Sequence, residues 1–510
     1  MRDQETELKL AVTPRTFARL AQEPLLGEPR GPARKLVAVY FDTARRALWR
    51  GGVSLRLRRE HGRWVQTVKG GGALQAGLHR RLEISHRAAR AAPDLARLGA
   101  SEPERKLARA AGSAALAPVF RVEIERDTRI VSPAPGVVIE VSFDRGAIVA
   151  GAARAPVCEI ELELKRGPEA SLFELALAVL ARAPVRIEQR SKAERGYALA
   201  GAMRPAPVRG RLGVIRREMS ASEAFRAVCS ACLNHLQANQ LGVIRGEDPE
   251  YVHQARVAMR RLRSALDAFA PLAPEDMIAP RVRAVRHATR ALGPARDWDV
   301  FAAQTLAPVL HQFPGHRGLA ALERACERMR AHASRSARRA LGARRHQALL
   351  LELGGWLAAA PWLAAGPPAA ELAWRAPVRE HAVAALERYH RRALKRGHGI
   401  GAAGNARLHR LRIAVKKLRY AAGFFGPLFA RARVQPMLEA LNRLQDLLGA
   451  INDCASAPAL IDAAAATARG PLRLQARTIV SHWSAAMLAE RRRALKPAWK
   501  AFRNCERFWR

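Results

Sequence analysis

Residues 5–9 read Glu5-Thr6-Glu7-Leu8-Lys9. Successive side chains of a strand point to opposite sides, so Glu5, Glu7 and Lys9 share one face while Thr6 and Leu8 share the other. The device recurs downstream. Arg56 and Arg58 alternate with Leu55 and Leu57, Arg81 and Glu83 flank Leu82, and Glu140 and Asp144 have the same parity. Glu159, Glu161, Glu163 and Lys165 alternate with Ile160, Leu162 and Leu164. In an ordinary half-exposed sheet the charged face lies in water and the apolar face packs on a core. A solvated face has no need of clustered carboxylates beside strands that present almost only Arg or Lys. The set therefore suggests a closed antiparallel barrel with a charged lumen and its leucines and valines outside. Carboxylate oxygens are hard ligands suited to Mg2+ or Mn2+, and Arg and Lys bind phosphate oxygens. A phosphate chain with its metal would neutralise both clusters.

Outward from these strands, further runs of period two fill the first part of the chain: VAVYFDT, RWVQTVKG, FRVEIERDTRIV and VVIEVSF, several bounded by Gly or Pro. The aperiodic stretch from Arg204 to Gly213, RPAPVRGRLG, predicts a linker, and helical spacing follows it. At 510 residues the chain exceeds one ordinary core. The expected organisation is α+β: a barrel domain over 1–204, a linker over 205–217 and an all-α domain over 218–510 with internal copies at about 220–365 and 376–510. Arg129 stands where an apolar strand residue is expected, and the Ala- and Arg-rich segment from His86 to Ala117 resists assignment.

The formal net charge is +42, from 87 basic and 45 acidic residues, and 76 of the basic ones are Arg. Residues 1–215 carry +15 and residues 216–510 carry +27. Such a field attracts polyanions: nucleic acid, anionic membrane or long phosphate polymers. With no long uncharged apolar run, no membrane span is expected, and Met1-Arg2-Asp3 leads into a charged strand without the apolar core of a signal peptide. The expected location is the cytoplasm. Six scattered cysteines fit a reducing compartment, and Cys229 and Cys232 form a CxxC with no second pair or histidine cluster beside it.

Seven ordered elements resemble the CYTH family, the triphosphate tunnel metalloenzymes: Glu5-x-Glu7-x-Lys9, Tyr40–Thr43, Leu55–Arg58, Thr67–Gly70, Leu78–Glu83, Cys158–Leu164 and Ser191–Leu199. The Leu78–Glu83, Cys158–Leu164 and Ser191–Leu199 segments are most similar to the bacterial two-domain inorganic triphosphatases. The resemblance implies Mg2+ or Mn2+ held by Glu5, Glu7, Asp144, Glu159, Glu161 and Glu163, with Glu140 supporting the acidic group. It implies a grip on inorganic triphosphate by Lys9, Arg56, Arg58, Lys69, Arg81, Arg126 and Lys192, with Glu5, Glu7, Lys9 and Lys69 catalytic. Thiamine triphosphatases and adenylate cyclases use the same kind of tunnel, and a non-catalytic polyphosphate-binding protein is the remaining alternative.

In the second half, HQARVAMRRLRSALDAFAPL from His253 and HRLRIAVKKLRYAAGFFGPL from His409 are internal copies offset by 156 residues. Pro280 matches Pro436, Leu292-Gly293 matches Leu448-Gly449, and Asp297 matches Asp453 without a gap. On a helix, His253, Arg256, Arg260 and Arg263 form one stripe opposite an apolar face, and His409, Arg412, Lys416 and Arg419 repeat it. Two packed helical bundles are expected. The pattern is similar to CHAD domains, which implies binding of long-chain inorganic polyphosphate at these stripes and association with polyphosphate granules. Aromatics are 5% of the chain and do not interleave with the stripes as in a base-stacking platform, so nucleic acid would be drawn by charge alone.

Overall fold

The computed structural model describes residues 3–60, 62–99, 101–202, 205–210, 214–467 and 472–510. Met1, Arg2, Arg204 and the 211–213 part of the expected linker lie outside the described residues. The chain forms two compact units, Met1–Ala206 with Ala343–Ala359 and Pro207–Gly342 with Ala360–Arg510.

The first unit is an eight-stranded antiparallel barrel. Its strands are β1 (Asp3–Ala11), β2 (Arg34–Asp42), β3 (Val53–Glu60), β4 (Arg63–Gln75), β5 (Leu78–Ala88), β6 (Ala117–Val131), β7 (Val138–Ala150) and β8 (Ala153–Arg166). They run in the order β5-β4-β3-β2-β6-β7-β8-β1, and pairing of β1 with β5 closes the ring. Closure removes the unpaired edges that an open sheet would expose. Register sets Glu5 opposite Arg81 on β5, and Glu7 and Lys9 opposite Glu163 and Glu161 on β8. Leu8, Leu10, Leu55, Leu57, Ile160 and Leu162 have the other parity and are fully buried. The alternation therefore turns charges inward and leucines outward, as the sequence predicts.

Helices seal the leucine face. The unassigned segment after His86 supplies one of them, Glu102–Ala111, begun by a capping box between Ser101 and Glu104. Its Leu107 and Ala111 pack with Phe41, Leu48, Val53, Leu55, Leu57 and Val68, while Arg105 and Arg109 stay exposed. Arg129 also faces outward, yet is almost completely buried. Its guanidinium pairs with Asp127 at 2.7 Å, donates to the Gly27 carbonyl at 2.9 Å and lies 4.4 Å from the Phe143 ring centroid. Each polar atom of a residue at an apolar position thus has a partner.

Helix Ala170–Arg182 is covered in turn by helix Arg344–Ala359, which comes from the second half of the sequence. Phe173 presses on Gly354, where a Cβ would stand 2.3 Å from the ring, and Arg344 donates to the Ala181 carbonyl at 2.7 Å.

The second unit is all helix. The duplication governs it closely: helix Pro249–Phe269 with the 3-10 turn Ala270–Leu272 recurs 156 residues on as helix Asn405–Phe425 with the turn Gly426–Leu428. The copies then part. Helix Glu275–Ala291 stops and a new helix, Gly293–Phe301, starts with Pro294 in its first turn, where a missing N–H costs nothing. The corresponding residue of the second copy is Ala450, and helix Arg431–Thr467 runs through it for 37 residues. All six cysteines are free thiols, with Cys229 and Cys232 buried on helix Ala221–Arg245.

Leu107→Ala tests the Glu102–Ala111 helix as part of the barrel core. Removing this fully buried side chain should lower unfolding free energy by about 2 to 5 kcal/mol in urea titration; a loss within error would show that the helix is not a seal.

Candidate functional site

The lumen of the barrel is a cavity of about 630 Å3. Its wall brings together Glu5, Glu7, Lys9, Arg56, Arg58, Lys69, Arg81, Arg126, Glu161, Glu163 and Lys192, drawn from six strands and helix Lys192–Leu199, with Glu140 beside them. Asp144 and Glu159, also expected at the site, are fully buried beside Glu161 and outside the cavity lining. Two charged residues outside the expected set join the lining, Glu83 and Lys165. Alternation places each on a charged strand face, Glu83 with Arg81 and Lys165 with Glu163. A third, Arg195, lies one helical turn beyond Lys192 and reaches Glu159 at 2.5 Å.

Burying charges is unfavourable unless they are paired, and the lumen pairs them in groups. The innermost group is Asp144, Glu159 and Glu161, whose carboxylate oxygens lie within 4.8 Å of one another. Register explains the convergence: Asp144 on β7 faces Glu159 on β8, and Glu161 is two residues along the same face. The Lys192 ammonium sits among them, 2.5 Å from Asp144, 2.6 Å from Glu159 and 3.0 Å from Glu161. Arg126 bridges Asp144 at 2.5 Å and Glu161 at 2.6 Å. Burial would raise the Glu161 pKa, but Lys192, Lys9 and Arg126 hold it well below the ordinary carboxylate value.

A second group lies on β1, β3, β4 and β5. Lys69 contacts Glu83 at 2.5 Å and Glu5 at 3.0 Å, and Arg56 contacts Glu83 at 2.8 Å. Against the opposing effect of burial, Arg56 and Lys69 bring the Glu83 pKa down to about 2. Glu7 pairs with Lys9, yet burial, reinforced by Glu161 and Glu5, keeps its pKa above the ordinary value. Glu163 and Lys165 pair at 2.6 Å, Arg58 turns to Glu60, and Arg81 reaches Glu194 at 3.1 Å. His79 is buried with no partner for Nε2 among the described residues; burial, then Lys9 and Arg81, push its pKa well down, so it stays neutral.

The donor set fits a divalent cation. Three mutually close carboxylates already enclose a positive group, the Lys192 ammonium, which stands in for one. All are hard oxygen donors of the kind Mg2+ and Mn2+ accept. Glu5, Glu7 and Glu163 lie outside that three-residue group, among the described residues.

In the helical unit the two basic stripes meet. Helices Pro249–Phe269 and Asn405–Phe425 pack on each other, and Arg256, Arg260, Arg263, Arg412, Lys416 and Arg419 are all half-buried. Among the described residues none of these six has a carboxylate within ion-pair distance, whereas the neighbouring Lys417 pairs with Asp267 at 2.7 Å. Arg419 donates instead to Gln445 at 2.6 Å. Burial first, then Arg260, Arg412, Arg263 and Arg419, lower the Lys416 pKa to about 6. The duplicated Asp297 and Asp453 flank the cluster: both influence Arg412, and Asp453 helps burial raise Asp297. The histidines differ. His253 is half-buried and lowered to about 4 by burial and by Arg296, whereas His409 is exposed and bonds Asn452 through Nδ1 at 2.8 Å.

Residues 3–197 match the family model for the CYTH domain, and residues 227–462 match that for the CHAD domain. An inorganic triphosphatase from Haemophilus influenzae is 31% identical over 198 residues, 38% of this chain and 55% of that protein. The chain thus spans about half the length of this relative. The crystal structure of the CHAD domain from the plant Ricinus communis is 30% identical, covers 59% of this chain and 98% of that one, and superposes with a TM-score of 0.51. PptA from Streptomyces chartreusis is 20% identical, covers 55% of this chain and 100% of its own, and has a TM-score of 0.41. No single helix among the described residues is long and apolar enough to cross a membrane.

Glu83 links the lumen to acid stability. Its folded pKa of about 2 lies below the unfolded value of about 4.3, so its contribution is complete above pH ~4.3 and is lost as pH falls towards 2. Glu83→Gln should flatten the stability-pH curve in that window, by on the order of 2 kcal/mol across it, in denaturant titrations. Parallel curves for the two proteins would contradict the pairing.

Proposed function

Since this chain belongs to the CYTH family through its barrel and to the CHAD family through its helices, we propose that it hydrolyses inorganic triphosphate with a divalent metal and binds long-chain inorganic polyphosphate. The observation that carries the first half is the lumen, whose wall is lined by gripping cations and meets the buried carboxylate cradle at Glu161. The Haemophilus influenzae relative, an inorganic triphosphatase, supports the same reading.

A linear triphosphate presents rows of anionic oxygens and no base or sugar to be recognised. Arg56, Arg58, Lys69, Arg81 and Arg126 line the cavity and exchange carboxylate partners for phosphate oxygens, Arg by paired N–H donors and Lys as a point charge. Lys192 leaves the cradle for the phosphate chain, which frees Asp144, Glu159 and Glu161 as ligands, with Glu5 and Glu7 on β1 completing the acidic wall. Mg2+ or Mn2+ held by these carboxylates would supply charge neutralisation on the phosphate chain and activation of water. Glu7, a carboxyl that burial and its acidic neighbours make more basic, is placed to accept a proton in the lumen, and Lys9 holds it there. Fixed donors around the phosphate chain act on the charge that develops during transfer.

On the helical unit, six cations without carboxylate partners favour a regular polyanion, and binding would release counterions from it. The expected setting is the cytoplasm, in association with polyphosphate granules.

Two measurements decide these readings. Purified protein should release phosphate from tripolyphosphate with Mg2+ or Mn2+, and Glu161→Gln and Lys69→Met should each lower the rate about 100-fold or more; no release from tripolyphosphate, ATP or thiamine triphosphate with either ion would end the enzyme reading. Polyphosphate should bind with an affinity that falls steeply with salt, and Arg256→Ala with Arg412→Ala should reduce that log-log slope by about two. Equal or tighter binding of DNA at matched salt would favour a nucleic-acid partner instead.

A further inference from the structure

We propose that the helical unit takes up a proton when it captures a phosphate polymer, with Lys416 as the group that receives it. This rests on the polyphosphate reading above and adds a property which that reading does not require.

Lys416 projects from helix Asn405–Phe425 into the seam with helix Pro249–Phe269, where the two basic stripes face each other. Arg260 and Arg263 approach it from the partner helix, and Arg412 and Arg419 from one turn away on its own helix. The nearest acids act elsewhere in the cluster: Asp297 and Asp453 on Arg412, and Asp267 on Lys417. The polar groups of helix Arg431–Thr467, Gln445 and Asn442, accept from Arg419. Lys416 is therefore a half-buried amine among four guanidinium groups, with no carboxylate within ion-pair distance among the described residues.

Arginine cannot relieve such crowding, because guanidinium does not lose its proton near neutrality; lysine can. Among the clustered cations Lys416 is the one able to become neutral, and its pKa of about 6 places it there at pH 8. A polyanion laid along the seam reverses the sign of the local field and restores the ammonium form. The order of events also fits capture: the empty seam holds one charge fewer, and the filled seam regains it.

The histidine at the edge of the cluster is a separate contributor. His253 faces Arg256 and Arg260 of its own helix, Arg296 of helix Gly293–Phe301, and Glu250. Near pH 8 an imidazole of ordinary pKa, about 6.5, stays neutral even when bound, so proton uptake there reports the lysine.

The test is calorimetric titration of the full chain with size-fractionated polyphosphate at pH 8, in two buffers of different ionisation enthalpy. The wild type should take up close to one proton per chain, and affinity should fall about tenfold per pH unit around that pH. Lys416→Arg, which is charged throughout, should take up almost none and lose the slope, whatever its absolute affinity; it also subtracts protons exchanged by the terminal phosphates. Circular dichroism checks that the variant is folded. Wild-type binding with identical apparent enthalpy in both buffers, or an undiminished slope in Lys416→Arg, overturns the proposal. Absence of binding at every pH instead removes the polyphosphate reading on which it stands.

Discussion

A charge taken out of water must find a counter-charge close by, and this constraint organises the barrel. Alternation forces every second residue of eight strands into one lumen, so a sequence that places Glu, Lys and Arg at those positions commits itself to a buried ionic network. The network closes because carboxylates and cations are interleaved around the ring. Asp144, Glu159 and Glu161 answer Lys192, Arg126 and Arg195, and Glu5 and Glu83 answer Lys69 and Arg56. A network of this kind is a poor source of stability compared with an apolar core of similar volume. Stability comes instead from the leucine face outside and the helices that seal it, which leaves the lumen free to be built for ligands.

The helical unit answers the same constraint in the opposite way. Among the described residues its seam keeps like charges together with carboxylates only at the flank, which raises its energy. Under the proposed function the lumen exchanges one set of partners for another, whereas the seam gains new ones. One arrangement suits chemistry on a short chain that must come and go. The other suits retention of a long one.

Much of this was legible in the sequence, for a physical reason: period two and the helical repeat act on each residue through its immediate neighbours. Parity alone carried Glu5, Glu7, Lys9, Arg56, Arg58 and Arg81 to one face, and the 156-residue repeat carried both stripes. What escaped depends on contacts between distant segments. That Lys192 occupies a cradle of carboxylates follows from β7 and β8 register meeting a helix begun at Ser191. Helix Glu102–Ala111 was hidden because its apolar stripe is narrow, with alanines and arginines between, and only a barrel wall beside it makes that stripe a core. Arg129 looked misplaced because its counter-charge, carbonyl and ring partners come from three different places.

The duplication shows how far a repeat constrains chemistry. The bounds of helices Pro249–Phe269 and Asn405–Phe425 agree to the residue, since the apolar face that fixes them is shared by both copies. The surroundings of the histidines do not. Position 296 of the first copy is Arg and its counterpart 452 is Asn, so His253 meets a repelling cation where His409 finds a hydrogen-bond acceptor. Burial compounds the difference, because a half-buried imidazole beside Arg296, Arg260 and Arg256 is held neutral while the exposed one remains hydrated. Two side chains at equivalent positions thus meet different surroundings. The two facing helices are therefore alike in extent and unlike in charge, so the seam has two different ends.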